Sequence, residues 1–555
     1  MRMTLPSILA LTCVGLAAAP PTEHWSLLCS GETKGALVMT LTGKGAYRLR
    51  ETYALRGFTD DLRGELKVDA KGVPTRFALK GTAQSVAGYR ETFAIAGGRA
   101  SWSLPGEIRK NVRSQGYYLP SPINLVPATL LWMANTAEIR RGGSLSILTG
   151  GEVRASKPKS VEIQVGGRTI RVQQQALTGL ALSPYYLWRD EQEQPLAALA
   201  LTDMAIRKGQ EGLATALEQA AGEDLKQRIQ TMGASARMDL GVTYAMTQVN
   251  VFDPGTRTVK RNQTVLVDGG RIKAVGPADP IQLPESAKVL PQAGRTLVPG
   301  LWDAHYHIGI PMDGLQALAS GAVCVYSPGD DPRFGPDRRQ AWDQGREAGP
   351  WCISAMLLDG SGPNMAQVGT PVDSHEEALK ALEKARAEGY FGIKLYGSLK
   401  KDLVPFLIEE GRRQGFWVSG HVPAGYTIQD LVGLGFREAN HIYFAMLGLW
   451  PDVKDKTNGM ARFTTIGERA KDLDLKGKEV QDLISCFKAN GTVVDPTVVV
   501  LQDLLAHEPG TPHAGYGRLF ERLPAQKRRA AMLNQDLAEN PGERARNQAS
   551  FSKVL

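Results

Sequence analysis

The stretch Leu297-Val-Pro-Gly-Leu-Trp-Asp-Ala-His305-Tyr-His307 begins as an apolar run and ends in two histidines with one residue between them. An apolar run of this length predicts a β-strand over residues 297–307. Side chains two positions apart on a strand share one face, so both imidazoles can reach one metal ion. By itself, the pair is a weak signal, and two polar residues at a strand end are the alternative interpretation.

Short apolar runs alternate with helical patterns from this stretch onward, which predicts parallel βαβ units. One intervening helix is clearly marked, because Ser374 is a candidate N-cap, Glu377 completes a capping box and Gly389 ends the pattern. The seven predicted strands cover residues 297–307, 321–327, 351–358, 391–397, 416–422, 438–444 and 493–500.

Three further residues follow the histidine pair at the spacing of such units. Lys394 lies 87 residues after His307, which accommodates three strand–helix steps, and His421 and His441 follow after 27 and 20 residues, one step each. All five residues are therefore expected at the carboxyl ends of strands, where barrels of parallel strands carry their chemistry. Four imidazoles at one rim suit zinc or a similar metal.

Lys394 needs a separate chemical argument, since an ammonium group has no lone pair for a metal. Burial and nearby metal charge can lower the pKa of a lysine enough for it to lose its proton. The neutral amine can then react with carbon dioxide and form a carbamate, whose two oxygens can bridge two metals. The alternative is that Lys394 pairs with an acid beside a single metal.

These residues, with flanking segments, resemble the amidohydrolase superfamily over roughly residues 243–555. The resemblance implies an α/β fold, a (β/α)8 TIM-type barrel with seven strands present here and a small β domain. The amino-acid sequence around His421 and His441 is most similar to that of the imidazolonepropionase-like and Xaa-Pro dipeptidase-like branch. The matching segments are Val267-Asp-Gly-Gly-Arg-Ile-Lys-Ala-Val-Gly276, residues 297–307, Gly392-Ile-Lys394, Gly420-His421-Val-Pro423 and Asn440-His441-Ile-Tyr-Phe444.

The resemblance also implies a dinuclear metal site, with zinc as the expected metal. In it, His305 and His307 bind the first of two divalent ions, His421 and His441 bind the second, and carboxylated Lys394 bridges them. A hydroxide bridging the two ions would attack the scissile carbonyl.

The family pattern further requires an aspartate at the end of strand eight, as metal ligand and proton acceptor. We expect it beyond residue 555, which makes the chain as given an incomplete barrel without activity. Asp495, in Val493-Val-Asp495-Pro-Thr497, is interpreted as a solvated or capping residue at the end of strand seven. It becomes the first candidate for the missing base if the chain proves active.

The rest of the chain divides into further predicted segments. Residues 1–19 have a positive start, an apolar run and three alanines, which is typical of a signal peptide and predicts a secreted or periplasmic protein. Residues 20–205 are predicted to be an antiparallel β domain, with a hairpin of 161–165 and 168–172 around Gly166-Gly167. A helical linker is predicted over 206–242, a small β domain over 243–296 and the barrel over 297–555.

Composition excludes some classes of partner. The net charge of +8 arises from 65 basic and 57 acidic residues without a run of like charges, so no nucleic-acid partner is expected. No apolar stretch after the signal is long enough to span a membrane. The histidines His24, His375, His507 and His513 are set aside, the aromatic residues Trp188, Tyr185 and Tyr186 are expected in the core, and Cys29, Cys324, Cys352 and Cys486 are interpreted as core or isolated thiols.

The sequence thus favours a metal-dependent hydrolase that cleaves amide bonds of small peptides or cyclic amides through a metal-bridging hydroxide. A lactone or phosphotriester hydrolase remains open, because the same metal pair serves those substrates. A non-catalytic protein that binds cell-envelope material also remains open, if no strand-eight aspartate exists. The expected partner is a small-molecule or peptide substrate, and the oligomeric state is left open.

Overall fold

A computed structural model describes residues 21–83, 85–113, 116–120, 126–277, 281–512, 514–533, 537–538 and 540–555. The predicted signal peptide and His513 lie outside the described residues.

The first part of the chain forms a sheet of fifteen strands, here called the N-terminal sheet, in which all neighbouring strands are antiparallel. The predicted hairpin is confirmed, since Val165 pairs with Arg168 across Gly166-Gly167. The strands are β1 Thr22–Cys29, β2 Glu32–Gly43, β3 Ala46–Leu55, β4 Phe58–Val68, β5 Pro74–Ala83, β6 Val86–Ala96, β7 Arg99–Leu104, β8 Glu107–Arg113, β9 Ser144–Ser146, β10 Glu152–Ala155, β11 Lys159–Val165, β12 Arg168–Thr178, β13 Tyr185–Arg189, β14 Pro195–Ala200 and β15 Asp203–Arg207.

Strand β1 joins the two halves of this sheet, because it pairs with β2 on one side and β15 on the other. The apolar helix α1 (Val126–Ala134) packs into the sheet's core, and the short α2 (Ala137–Arg140) follows it. The predicted core aromatics Trp188, Tyr185 and Tyr186 are buried. Helix α3 (Ala214–Ala236) buries one stripe against the sheet, formed by Ala214, Leu217, Ala221, Leu225 and Ile229.

A second, small sheet of five strands follows. Its first three strands are antiparallel, as the alternation around Asp268-Gly269-Gly270 predicts, and the last two pair with the first in parallel. The strands are β16 Thr243–Asp253, β17 Thr258–Asp268, β18 Arg271–Pro277, β19 Lys288–Pro291 and β20 Thr296–Leu297.

The remaining strands form a curled parallel half-barrel, here called the parallel sheet. Seven strands follow one another in the order of the sequence, apart from β24, which pairs only with β23. Among the described residues β28 does not pair back to β21, so they do not form the closed eight-stranded barrel. The strands are β21 Leu301–Asp303, β22 Ala322–Ser327, β23 Trp351–Asp359, β24 Thr370–Pro371, β25 Gly392–Leu395, β26 Trp417–Gly420, β27 Glu438–Asn440 and β28 Val493–Asp495.

Among the residues that the structure describes, eight α-helices lie between these strands in the chain, and three more follow the last strand. The predicted cap is confirmed, because Ser374 accepts a hydrogen bond from the backbone N–H of Glu377 at the start of α6. The helices are α4 Asp313–Ala319, α5 Gly335–Asp343, α6 His375–Ala387, α7 Leu403–Arg413, α8 Ile428–Gly433, α9 Ile442–Leu447, α10 Ala461–Arg469, α11 Lys478–Asn490, α12 Val498–Leu505, α13 Ala525–Leu533 and α14 Pro541–Val554.

Two predicted strands run into helices, and a third combines parts of two sheets. The prediction over 438–444 is wrong after Asn440, because residues 442–447 form a helix, and the one over 493–500 is wrong after Asp495, because a helix begins at Val498. The strand predicted over 297–307 is also wrong, since its first residue, Leu297, belongs to the small sheet and β21 ends at Asp303. A buried apolar run suits a helix as well as a strand, which explains the first two errors.

None of the helices in the described residues is long and apolar enough to cross a membrane.

Candidate functional site

The five predicted site residues lie at one rim of the parallel sheet. Lys394 is the third of four residues in β25, and His421 and His441 come directly after β26 and β27. His305 and His307 follow β21 in a loop, where the carboxylate of Asp303 accepts a hydrogen bond from the backbone N–H of His305. The expectation that one strand face presents both residues is therefore wrong, although both reach the same rim.

The four imidazoles, here called the histidine cluster, lie close together. Ring centres are 5.1 Å apart for His305 and His307, 4.8 Å for His305 and His441, and 4.7 Å for His421 and His441. The parallel sheet thus curls far enough for residues after β21 and β27 to meet.

Burial keeps these imidazoles neutral. It lowers the pKa of His305 and of His307 to about 3, with the charge of Lys394 as the second cause. Burial also lowers the pKa of His421 and His441 well below the usual range. A neutral imidazole keeps one ring nitrogen with a free lone pair, which is the form that binds a metal.

Hydrogen bonds at Nδ1 orient three of the four rings. His307 Nδ1 lies 2.6 Å from the carbonyl oxygen of Gly329, and His441 Nδ1 lies 2.6 Å from Thr497 Oγ1. His305 Nδ1 contacts Asp495 Oδ2. The buried Nδ1 of His421 has no partner among the described residues, so this ring has a polar atom that a ligand could satisfy.

Lys394 is almost completely buried, with 1% of its surface exposed. Burial, followed by the positive charge of Arg56, lowers the pKa of its ammonium group to about 7, while Asp495 and Glu438 oppose the shift. At neutral pH, Lys394 is therefore a neutral amine in an appreciable fraction of the molecules. The neutral amine is the form that can react with carbon dioxide.

Asp495 also belongs to this rim. Its side chain contacts His305, and its backbone oxygen accepts a hydrogen bond of 2.7 Å from the N–H of His441. Burial raises the pKa of its carboxyl group to about 6. The interpretation as a solvated or capping residue is therefore wrong. Its place at the end of a predicted parallel strand was the available signal.

Glu438, the first residue of β27, is a second acid near the rim. Its carboxylate accepts hydrogen bonds of 2.7 Å from Trp417 Nε1 and 2.8 Å from Asn440 Nδ2. Asn440 Nδ2 also lies 3.4 Å from Asp495 Oδ2, which links the two acids.

Backbone strain is concentrated where two of these strands end. His441 has φ of +68° and Thr497 has φ of +40°, both in the left-handed region, which a β-branched threonine rarely adopts. The hydrogen bond between their side chains joins the two strained positions. Such outliers persist only where surrounding contacts hold them, and they occur preferentially at functional sites.

The cluster opens into a cavity of about 650 Å³, a size suited to a small-molecule ligand. His307, Lys394, His421 and His441 line one part of its wall. The cavity also contains Arg56, from the turn after β3, and Arg462, from α10, neither of which sequence reasoning singled out.

The chemistry of these donors fits a divalent metal of the zinc type. Neutral imidazoles, an amine able to become a carbamate and a carboxylate are all ligand types, and His421 Nδ1 lacks another partner. In the described part of the chain, no group of three or more His, Cys, Asp or Glu side chains is already arranged to hold a metal ion.

No protein-family model matches the sequence. Solved structures similar to this chain include a bottromycin amidohydrolase, at 19% identity and a TM-score of 0.40 over 59% of this chain and 70% of the other. A Xaa-Pro dipeptidase with bound methionine matches at 15% identity and 0.35, over 56% and 88% of the two chains. An A. niger ochratoxinase matches at 17% and 0.33, over 52% and 83%. Similarity at this level carries no argument about function, which has to rest on the site itself.

Proposed function

We propose that this chain is a metal-dependent hydrolase that cleaves amide bonds of small peptides or cyclic amides. The observation that carries the proposal is the meeting of four neutral imidazoles and a buried lysine at the carboxyl ends of parallel strands, beside a cavity. His305 and His307 would hold one divalent ion and His421 and His441 a second, with Lys394 between them as a carbamate.

Ions bound there would lower the pKa of water and polarise the scissile carbonyl. The residues of the chain supply position and proton transfer. Gly329 and Thr497 orient the rings of His307 and His441, and Asp495 orients His305. We assign Asp495, in place of the aspartate expected beyond residue 555, as the acceptor of the proton from the attacking water, because it contacts His305 at the rim and burial raises the pKa of its carboxyl group to about 6. The chain as given should then be active.

Hydrolysis of a dipeptide and cyclic-amide panel by the zinc-loaded protein tests this proposal. His421→Ala should lower kcat/KM at least 100-fold, because the loss of a metal ligand weakens binding of the ion that stabilises the transition state. The matched control is His24→Ala, at an exposed histidine of the N-terminal sheet, and it should retain full activity.

A lactone and phosphotriester panel runs in parallel. Turnover of those substrates without amide cleavage would replace the amide hydrolase with the alternative activity. Amide cleavage that is unaffected by His421→Ala would place the reaction elsewhere in the molecule.

A further inference from the structure

A turn of the N-terminal sheet forms part of the wall of the cavity. Leu55, Arg56 and Phe58 line the cavity together with His307, His421 and His441, although they lie roughly 250 to 390 residues earlier in the chain. Phe58 also packs against the core of the parallel sheet. The N-terminal sheet therefore contributes side chains to the candidate site.

Arg56 occupies a backbone position that does not favour arginine. Leu55 pairs with Phe58, so Arg56 and Gly57 form a two-residue turn, with φ of +52° and +86°. Turns of this kind favour Asn-Gly, because the first residue needs a positive φ. An arginine that goes against the local preference is expected where its side chain has a function.

Arg56 and Arg462, here called the arginine pair, have no acid within salt-bridge distance among the described residues. Arg462 is only 4% exposed, and the Nε atom of each arginine is buried without a hydrogen-bond partner in the described residues. Neither guanidinium forms a salt bridge within the described part of the chain. Burial and the nearby charge of Arg462 lower the pKa of Arg56 to about 10. The charge of Asp359 acts on Arg56, but its carboxylate accepts hydrogen bonds from the backbone N–H groups of Gly360, Ala366 and Ser398 and forms no salt bridge with Arg56 in the described residues. Two like charges largely removed from water without a direct counterion are unfavourable, and a bound anion would relieve this.

Aromatic rings connect each arginine to the histidine cluster. The Arg56 guanidinium lies 4.9 Å from the centre of the Tyr396 ring, which stacks on His421 at 3.9 Å. On the other side, Arg462 lies 4.7 Å from the ring of Phe463, and Tyr443 lies between Phe463 and His441. One aromatic ring thus separates Arg56 from the histidine cluster, and two rings separate Arg462 from it.

We propose that the arginine pair binds an anionic group of the substrate, a carboxylate or a phosphate, beside the histidine cluster. The inference deepens the proposed function by naming the substrate class, and it rests on that function for the position of the reacting bond. Guanidinium groups suit this task because their planar donors match carboxylate and phosphate oxygens. A peptide with a free carboxylate should therefore bind better than its neutral amide.

Equilibrium binding tests this without any turnover. The probes are N-acetylglycine, its neutral counterpart N-acetylglycinamide and inorganic phosphate, measured by ligand-observed NMR with the full chain. N-acetylglycine should bind at least tenfold more tightly than the amide. Arg56→Asn should abolish that difference while keeping the turn, because asparagine tolerates a positive φ. Arg168→Gln, at an exposed arginine after another two-residue turn of the sheet, should change nothing.

Each outcome either supports or refutes the proposed anion site. Phosphate binding that is tighter than that of N-acetylglycine and lost in Arg56→Asn would support the site and identify its ligand as a phosphate group. Equal binding of acid and amide, or a preference unchanged by Arg56→Asn, would overturn the inference. Anion binding that depends on Arg56 without amide cleavage would refute the proposed function and leave the anion site in place.

Discussion

Lys394 is a charged residue type held in an almost fully buried position, and this affects stability as well as chemistry. Its pKa is about 7 in the folded chain and near 10.5 when unfolded. Between these pH values the unfolded chain holds more protons, so the lysine destabilises the fold less as the pH rises. Below pH 7 both states are protonated and the penalty stays constant.

Lys394→Met should reveal this dependence in metal-free protein and carbon-dioxide-free buffer. Relative to the variant, the free energy of unfolding of the wild type should rise by up to about 1.4 kcal/mol per pH unit between pH 7 and 10.5. Denaturant titrations at several pH values measure it, with Lys44→Met, at an exposed lysine, as control. Parallel curves for wild type and Lys394→Met would contradict a lowered lysine pKa.

Thr497 orients His441, and its hydroxyl group can be removed without changing the shape of the side chain. Thr497→Val should weaken zinc binding about 10–100-fold, because outer hydrogen bonds of a ligand histidine contribute that much to affinity. Competition with a chromogenic chelator measures the dissociation constant. Thr492→Val is the matched control, since the Thr492 hydroxyl has no hydrogen-bond partner in the described residues. Equal losses in both variants would contradict an orienting role for Thr497.

Single residues also show where sequence reasoning stops. The spacing of Lys394, His421 and His441 predicts their common rim because it reflects the repeat of strand and helix. For Asp495 the sequence showed only a place at the end of a predicted strand, since its contact with His305 depends on the curl that brings the edges of the sheet together. Arg56 comes from a different sheet, and its positive φ in a two-residue turn is seen only in the structure.

At the scale of elements, strand centres were predictable and strand ends were not. Residues 351–358 and 321–327 nearly match β23 and β22, because each run is apolar and bounded by turn residues. After β27 and β28 the chain stays apolar and turns directly into α9 and α12. The left-handed conformations of His441 and Thr497 make those sharp turns, and neither residue type signals them.

Helix α13 is joined to the N-terminal sheet by a buried ion pair. Arg529 Nε lies 2.7 Å from Glu107 Oε2, and Arg529 is 6% exposed. Glu107→Gln should destabilise the protein by about 3 kcal/mol, because it leaves a buried guanidinium without its counterion. Thermal unfolding measures the change as a lower Tm. Asp482→Asn, which breaks the exposed pair with Lys478, should leave the Tm unchanged. Equal changes would contradict the structural importance of the buried pair.

At the scale of the whole molecule, contacts between distant parts of the sequence join the two large sheets. Leu533 of α13 belongs to the core of the N-terminal sheet, and Phe58 of the N-terminal sheet packs on the core of the parallel sheet. The division into β domain, linker and barrel stays a prediction of the sequence. These reciprocal contacts, which sequence patterns do not reveal, place Arg56 in the cavity.

Interlocked cores should unfold together. Thermal unfolding followed by far-UV circular dichroism and by tryptophan fluorescence should give one coincident transition, since neither sheet keeps its full core alone. Two separated transitions would show that the sheets are stable independently, and would weaken the account of a shared cavity wall.

The central claim is that the histidine cluster and Lys394 hold divalent metal, and metal analysis of the full chain purified without chelators tests it most directly. The account predicts two equivalents of zinc or a similar ion per chain, with Lys394 heavier by the mass of one carbon dioxide in native mass spectrometry. His305→Ala should lower the stoichiometry, and His24→Ala should not. A chain that binds no metal after incubation with zinc and bicarbonate would contradict the claim.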